Sequence, residues 1–190
     1  MGIRSILIIF LLYMIVVTLE ETLKILGDDI FTEYINYMCH ETYNLWFDKY
    51  YSKHLDLYPD YKSLAQVYLN LAKNIKTNNY YQGYILLNND NKVIGYVSVN
   101  FNDFDIFNND MDKETLWLTD LFIWPYYRSK GYSNMLINHV KKISKEMNKE
   151  IYIACEEKLI NYYLNKDWKI INDIPNKLLN NIWTIMIYYD

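Results

Sequence analysis

Apolar positions along this chain recur at two different periods, and the change falls near residue 80. Asp28 to Tyr50 and Tyr61 to Lys76 read as two helices; in the second, Leu64, Val67, Tyr68, Leu71 and Ile75 share one face. The segment Leu57-Tyr58-Pro59-Asp60 separates them, with Pro59 ending one element. Tyr80 to Leu87 is an aromatic and β-branched strand, Asn88 to Asn91 a turn, and Val93 to Phe101 a returning strand, which together make a hairpin. Asn102 to Glu114 is polar and reads as a loop before the strand Leu116 to Ile123.

Helical spacing returns after Gly131, with Met135, Leu136, Val140, Ile143 and Met147 on one face and Lys141, Lys142 and Lys145 opposite. Glu150 to Cys155 is a short strand and Lys158 to Lys166 a helix, and Trp168 to Ile171 and Ile182 to Tyr188 are closing strands. The order is helix, helix, three strands, helix, strand, helix, two strands, which is an α/β pattern without internal repeats or a linker.

One stretch falls outside this pattern. Ile6 to Val17 is unbroken apolar sequence, preceded by Arg4 and followed by Glu20 and Glu21. At about 1.5 Å per residue a helix here falls short of the roughly 30 Å hydrocarbon core, and no small-residue cleavage site follows it. Two readings stay open for residues 1–19: a membrane or signal anchor, or the buried first strand and helix of the domain. Residues 20–190 read as one domain, long enough for a sizeable core.

Composition narrows the chemistry. A formal net charge of −4 gives no general attraction to nucleic acid, so no nucleic-acid partner is expected. Cys39 and Cys155 form no disulfide framework, and His40, His54 and His139 are scattered, so no metal site is expected. Both cysteines read as buried free thiols.

The most informative segment is Leu116 to Leu136, L-W-L-T-D-L-F-I-W-P-Y-Y-R-S-K-G-Y-S-N-M-L. An apolar strand ends at Pro125, and the basic turn Arg128-Ser129-Lys130-Gly131 opens directly into a helix. The first N–H groups of a helix lack internal partners and its dipole favours negative charge, so this arrangement is a standard way to build an anion site. The chain has 5 glycines, and Gly131 is the sole one after Gly95. Such sparing use points to a position where a side chain would block a turn or a close-approaching ligand.

These residues also carry a family resemblance. Arg128 to Ser133, R-x-x-G-x-S behind L-F-I-W-P, resembles the acyl-CoA pyrophosphate loop of GNAT N-acetyltransferases, usually written Q/R-x-x-G-x-G/A, with Ser133 a small departure. Leu159 to Trp168 resembles the same family's (F/L)-Y-x-K-x-G-F segment, with Asp167 in place of Gly and Trp168 in place of Phe. The resemblance implies a mixed, mostly antiparallel central sheet flanked by helices, and acetyl-CoA as co-substrate without a metal. It implies that Arg128, Ser129, Lys130, Gly131, Tyr132 and Ser133 hold the pyrophosphate. Leu121, Phe122 and Ile123 would pair with the pantetheine arm on a strand splayed from its neighbour, with Trp124-Pro125 marking where pairing stops. Tyr163 falls on the tyrosine that protonates the leaving thiolate in many members; a phenol keeps its proton at neutral pH yet can share it with a developing anion.

Asp120 stands alone in an apolar run, where an acid is costly unless paired or functional. Polyamine acetyltransferases carry an acidic pair at this point, E-D-x-x-V, and Thr119 replaces the first acid here. Asp120 is therefore the candidate to bind a cationic amine or take its proton, and a structural carboxylate is the other reading. Glu156 and Glu157 are further candidates for the base. Direct attack in a ternary complex is expected, with Cys155 discounted as a nucleophile because no His accompanies it.

The leading expectation is transfer of acetyl from acetyl-CoA to a small amine or polyamine. Amino sugars come second, because the spacing from Cys155 to Tyr163 resembles hexosamine-phosphate acetyltransferases; protein amines come third. A catalytically silent module is the alternative of another class. The expected location is cytoplasmic, with membrane contact through the N-terminal segment left open.

Overall fold

In the computed structural model, residues 14–47, 52, 55–56, 58–74, 81–100, 115–176 and 181–189 are described. Among these residues seven strands form one sheet in the order β1-β2-β3-β4-β5-β7-β6. They are β1 (Ile15–Thr18), β2 (Tyr81–Leu87), β3 (Val93–Asn100), β4 (Leu116–Ile123), β5 (Ile151–Cys155), β6 (Lys169–Asn176) and β7 (Asn181–Tyr188). Helices α1 (Leu19–Leu26), α2 (Asp28–Trp46) and α3 (Tyr61–Asn74) precede β2; α4 (Tyr132–Met147) follows β4 and α5 (Ile160–Leu164) follows β5. All neighbouring strands run antiparallel except β4 and β5. This is the mixed, mostly antiparallel sheet flanked by helices that the motifs imply.

The sheet divides the core in two. On one face Phe31, Ile35, Met38 and Cys39 of α2 and Leu64, Ala65, Tyr68 and Ala72 of α3 pack on Ile85, Leu87, Val93, Tyr96 and Phe122. On the other, Leu136, Ile137 and Val140 of α4 and Tyr163 of α5 pack on Leu86, Ile94, Val97, Leu116, Leu118 and Ile153. Strand side chains alternate between these cores because a pleated strand points successive residues to opposite faces. Burial this complete is the main source of stability, at roughly 25 cal/mol per Å² of apolar surface.

The apolar N-terminal run is built into the domain at its described end. Ile15 to Thr18 pairs with Leu87 to Tyr84, and Leu19 is buried. The run stops as a strand because Thr18 and Glu21 form a capping box that starts α1. Glu21 N–H donates to Thr18 Oγ1 at 3.2 Å, and Thr18 N–H donates to Glu21 Oε2 at 2.8 Å. Residues 1–13, where most of the anchor reading falls, lie outside the described residues. Among the described residues no helix is long and apolar enough to cross a membrane.

Element boundaries moved for local reasons. The expected helix Lys158 to Lys166 is a 3-10 turn, Glu157–Leu159, followed by the short α5. Val67, Met135 and Met147, expected on apolar faces, are exposed at 42%, 36% and 41%, while Ile137 and Ser144 face inward instead. Each lies at the margin of its stripe, where one turn of drift carries a side chain to the surface. The loop expected from Asn102 to Glu114 lies wholly outside the described residues.

Gly95 illustrates how tightly β3 and β4 meet. A Cβ there would stand 2.5 Å from Ile123 Cδ1 and 2.8 Å from the Phe122 carbonyl oxygen. Gly95→Ala is expected to cost about 1–3 kcal/mol through overpacking, read as a lowered urea midpoint; an unchanged midpoint would contradict this packing.

Candidate active site

The site grows out of two irregularities in β4. The first is a split. Parallel pairing with β5 is confined to Leu116↔Ile151 and Trp117↔Tyr152, whereas pairing with β3 continues to Ile123. Beyond Trp117 the two parallel strands diverge, so the β5-facing backbone of Leu118 to Ile123 borders an opening. Pairing on this side therefore stops well before Trp124-Pro125, the point that the sequence suggested. The Trp124 N–H still donates to the Ile94 carbonyl at 3.0 Å on the β3 side.

The second irregularity is a bulge. Tyr96 pairs with Phe122 and Ser98 with Thr119, so three steps along β4 match two along β3. Asp120 absorbs the extra residue with φ +52°, a left-handed conformation that Asp tolerates better than most side chains. The insertion reverses the alternation of β4. Leu116 and Leu118 lie on the α4 side before it, and Leu121 and Ile123 lie there after it, while Phe122 joins the α2/α3 core.

Asp120 is thereby turned towards the α2/α3 side. Ser98 Oγ donates to Asp120 Oδ2 at 2.7 Å and lies 2.6 Å from Thr119 Oγ1. The Tyr68 hydroxyl from α3 also bonds this carboxyl, and Cys39 of α2 is close enough to feel its charge. Asp120 is exposed to water, yet desolvation by the surrounding protein lifts its pKa above the ordinary carboxylate range, against the pull of the Ser98, Tyr68 and Thr119 hydroxyls. Both facts describe a carboxyl on the floor of a recess, wet on one side and walled by protein on the others. Ser98 and Tyr68 are not singled out by sequence reasoning. The available signal was the lone small polar residue in Val97-Ser98-Val99, while Tyr68 passed as one of many apolar-face tyrosines.

At the end of β4 a 3-10 turn, Pro125–Tyr127, leads into the basic loop. Ser129 at φ +60° and Gly131 at φ +80° are both left-handed, so the chain coils tightly before α4. Gly131 is the residue preceding α4, and no side chain caps the helix. Among the described residues the N–H groups of Ser129 to Ser133 take no backbone partner. A Cβ on Gly131 would find only Asn134 Nδ2, at 3.8 Å, so glycine is needed for its conformation rather than for space within the protein. The concave row of N–H groups at a helix start is suited to phosphate oxygens. Arg128 is exposed; its Nε donates to the Ile123 carbonyl at 2.9 Å, and its guanidinium lies 5.5 Å from the Phe122 ring centre. It therefore straps the loop to β4 and occupies one backbone carbonyl of the strand expected to meet pantetheine. Lys130 is exposed with Nζ 4.7 Å from the Tyr126 ring centre.

Tyr163 lies on the other face of the sheet, 4% exposed, with its ring edge-on to Trp168 at 5.9 Å. Burial, with Tyr162 and Cys155 adding to it, pushes the phenol well above its ordinary pKa, so it is protonated at neutral pH. Asp167 reproduces the glycine it replaces, since its φ is +65°. Lys141 Nζ, 3.7 Å from the Asp167 carboxylate, also donates to the Lys166 carbonyl at 2.5 Å and fixes this turn against α4. Tyr163 and Asp120 thus lie on opposite faces of the sheet.

Glu156 is ion-paired with Lys158, and Glu157 lies in the 3-10 turn before α5. Cys155 is buried, its thiol pushed up to about 11 by that burial, a poor state for a nucleophile. Cys39 is also buried, and both thiols are free. Among the described residues no group of three or more His, Cys, Asp or Glu side chains is arranged to hold a metal ion.

A mostly antiparallel sheet that opens between two parallel strands, beside a helix start lined with N–H groups lacking backbone partners, is the arrangement that the resemblance to the acyl-CoA-dependent acyltransferases implies. Known proteins agree. The profile of the Acetyltransferase (GNAT) family matches residues 39–165, and the chain belongs to that family, whose members are acyltransferases. Spermidine N-acetyltransferase from Vibrio cholerae, solved with CoA and spermine, superposes with a TM-score of 0.62 at 14% identity over 92% of this chain and 94% of that one. A dodecameric structure of the Vibrio cholerae enzyme gives 0.58 at 14%, over 92% of each chain. The PaiA N-acetyltransferase of Thermoplasma acidophilum, solved with coenzyme A, gives 0.58 at 14% over 92% of this chain and 98% of that one. At such identities these likenesses speak for the fold. No curated protein sequence matches the chain.

Proposed function

We propose that this acetyltransferase moves the acetyl group of acetyl-CoA to a small cationic amine, with polyamines favoured, by direct attack in a ternary complex. The observation that carries the reading is Asp120: a carboxyl turned by a bulge into a recess at the strand split, held by hydroxyls, with a raised pKa. A carboxylate in that position attracts an ammonium group, and a raised pKa makes it a better base than an ordinary aspartate. Thr119 leaves one acid where polyamine enzymes carry two, and Ser98 and Tyr68 supply the polar surroundings. The structural neighbours named for spermidine acetylation share the fold and add support of that kind only.

In this mechanism the pyrophosphate of acetyl-CoA lies on the N–H groups of Lys130 to Ser133, with Arg128 and Lys130 adding positive charge. The pantetheine arm pairs with the open edge of β4 at Leu121, Phe122 and Ile123, in the manner of an added strand. Asp120 takes a proton from the bound ammonium and passes it to water. The freed nitrogen attacks the thioester carbonyl, the C–S bond breaks, and Tyr163 gives its proton to the departing thiolate. The second proton lost by nitrogen returns through solvent to Tyr163. The products are the N-acetylamine, CoA thiol and one released proton.

Two outcomes test the reading. Release of free CoA thiol on addition of spermidine to the full chain and acetyl-CoA is the expected result. Binding of acetyl-CoA with no thiol release for any of a set of polyamines and monoamines would overturn it. Tyr163→Phe is expected to lower kcat by roughly 100-fold, the lower end of the general acid range, with the calorimetric Kd for CoA nearly unchanged. Equal turnover would return Tyr163 to a packing role.

A further inference from the structure

Ser133 departs from the small apolar residue that the family loop carries, and the structure gives its hydroxyl a partner. Tyr162 of α5 donates its phenol proton to Ser133 Oγ at 2.7 Å. Both residues are half-buried, and the bond joins the first turn of α4 to the helix that carries Tyr163. The Tyr162 ring has two close neighbours: Lys166 Nζ lies 4.1 Å from its centre, and the Tyr163 ring stands edge-on at 5.0 Å. A serine hydroxyl has two acceptor lone pairs and one proton. Accepting from Tyr162 leaves the Ser133 proton free for another acceptor, and the backbone N–H groups of Ser129 to Ser133 take no backbone partner among the described residues.

We propose that Ser133 binds a pyrophosphate oxygen of CoA through its side-chain hydroxyl, and that Tyr162 is a positioning residue that orients this hydroxyl and ties cofactor seating to α5. Tyr162, Ser133 and phosphate then form one hydrogen-bonded chain. Each link polarises the next, since a donor that is itself accepting gives a stronger bond. Ala at 133 would still supply the backbone N–H, so the hydroxyl adds a contact to the loop rather than replacing one.

This inference rests on the phosphate site proposed above, and its test separates the two. The full chain and its Ser133→Ala, Tyr162→Phe and double variants are titrated calorimetrically with acetyl-CoA and with 3′-phosphoadenosine 5′-diphosphate, the nucleotide half of the cofactor. Turnover is also measured with S-acetylpantetheine, which has no pyrophosphate. Ser133→Ala is expected to weaken both phosphate-bearing ligands by about tenfold, the size of one hydrogen bond to a charged group. Tyr162→Phe is expected to weaken them by about threefold, and the double variant by no more than Ser133→Ala alone, because a chain already cut at phosphate loses nothing further. Ser133→Ala is expected to lower kcat/KM for S-acetylpantetheine far less than for acetyl-CoA. Unchanged affinity in Ser133→Ala, additive losses in the double variant, or an equal loss with S-acetylpantetheine would each overturn the chain. Failure of the wild type to bind either phosphate ligand would remove the phosphate site itself and this inference with it.

Discussion

Asp120→Asn is expected to lower kcat/KM for spermidine by roughly 100- to 1,000-fold, within the range for loss of a positioned general base, while the thermal midpoint stays close to wild type. Asn keeps the shape and can still accept from Ser98, so the bulge survives. It has neither the charge that attracts an ammonium nor the basicity that deprotonates it. The pH dependence separates chemistry from packing. Burial raises the Asp120 pKa, so the wild-type rate should climb as Asp120 loses its proton, along a limb displaced upward from the ordinary carboxylate range, and then level off. In the Asn variant that limb should vanish, leaving a rate that rises roughly tenfold per pH unit as neutral amine accumulates. A variant with the wild-type profile would make Asp120 a structural carboxylate.

Gly131→Asp is expected to abolish measurable CoA binding, a loss of at least about 100-fold. Two effects act in one direction. At φ +80° any side chain is strained, by about 1–2 kcal/mol. A carboxylate at the start of α4 would also compete with phosphate for the unpaired N–H groups and repel it. Gly131→Ala isolates the first effect, because only Asn134 Nδ2 at 3.8 Å is near a Cβ there; a much smaller loss is expected. Near-normal calorimetric affinity in the Asp variant would move the phosphate site elsewhere.

Much of this architecture was legible because it depends on local chemistry. The hairpin Tyr81–Leu87 to Val93–Asn100 announces itself through strand residues either side of an Asn/Asp turn, and α4 through its stripe after Gly131. The tight turn before α4 is legible in Gly131, which is left-handed, and Asp167, standing where the family segment has Gly, is left-handed as well. The start of α1 was also written locally, in Thr18-x-x-Glu21, but the surrounding apolar run concealed it.

The remainder depends on residues brought together from afar. Ser98 and Thr119 are 21 positions apart, and only the bulge at Asp120 aligns them on one carboxyl. No periodicity reveals a bulge, since the inserted residue matters only against its partner strand. Likewise, the bond from Tyr162 to Ser133 spans 29 positions. The divergence of β4 from β5 has no signal of its own either, because a strand paired on one side and one paired on both have the same apolar composition.

The most direct measurement is competition. The full chain is incubated with limiting acetyl-CoA and equal concentrations of spermidine, glucosamine 6-phosphate and a lysine-containing peptide, and the acetylated products are quantified by mass spectrometry, with Asp120→Asn in parallel. The predicted result is acetylspermidine as the dominant product of the wild type, lost in the variant. Acetylation mainly of the sugar phosphate or the peptide, or equal yields of acetylspermidine from both proteins, would contradict the role assigned to the recess around Asp120.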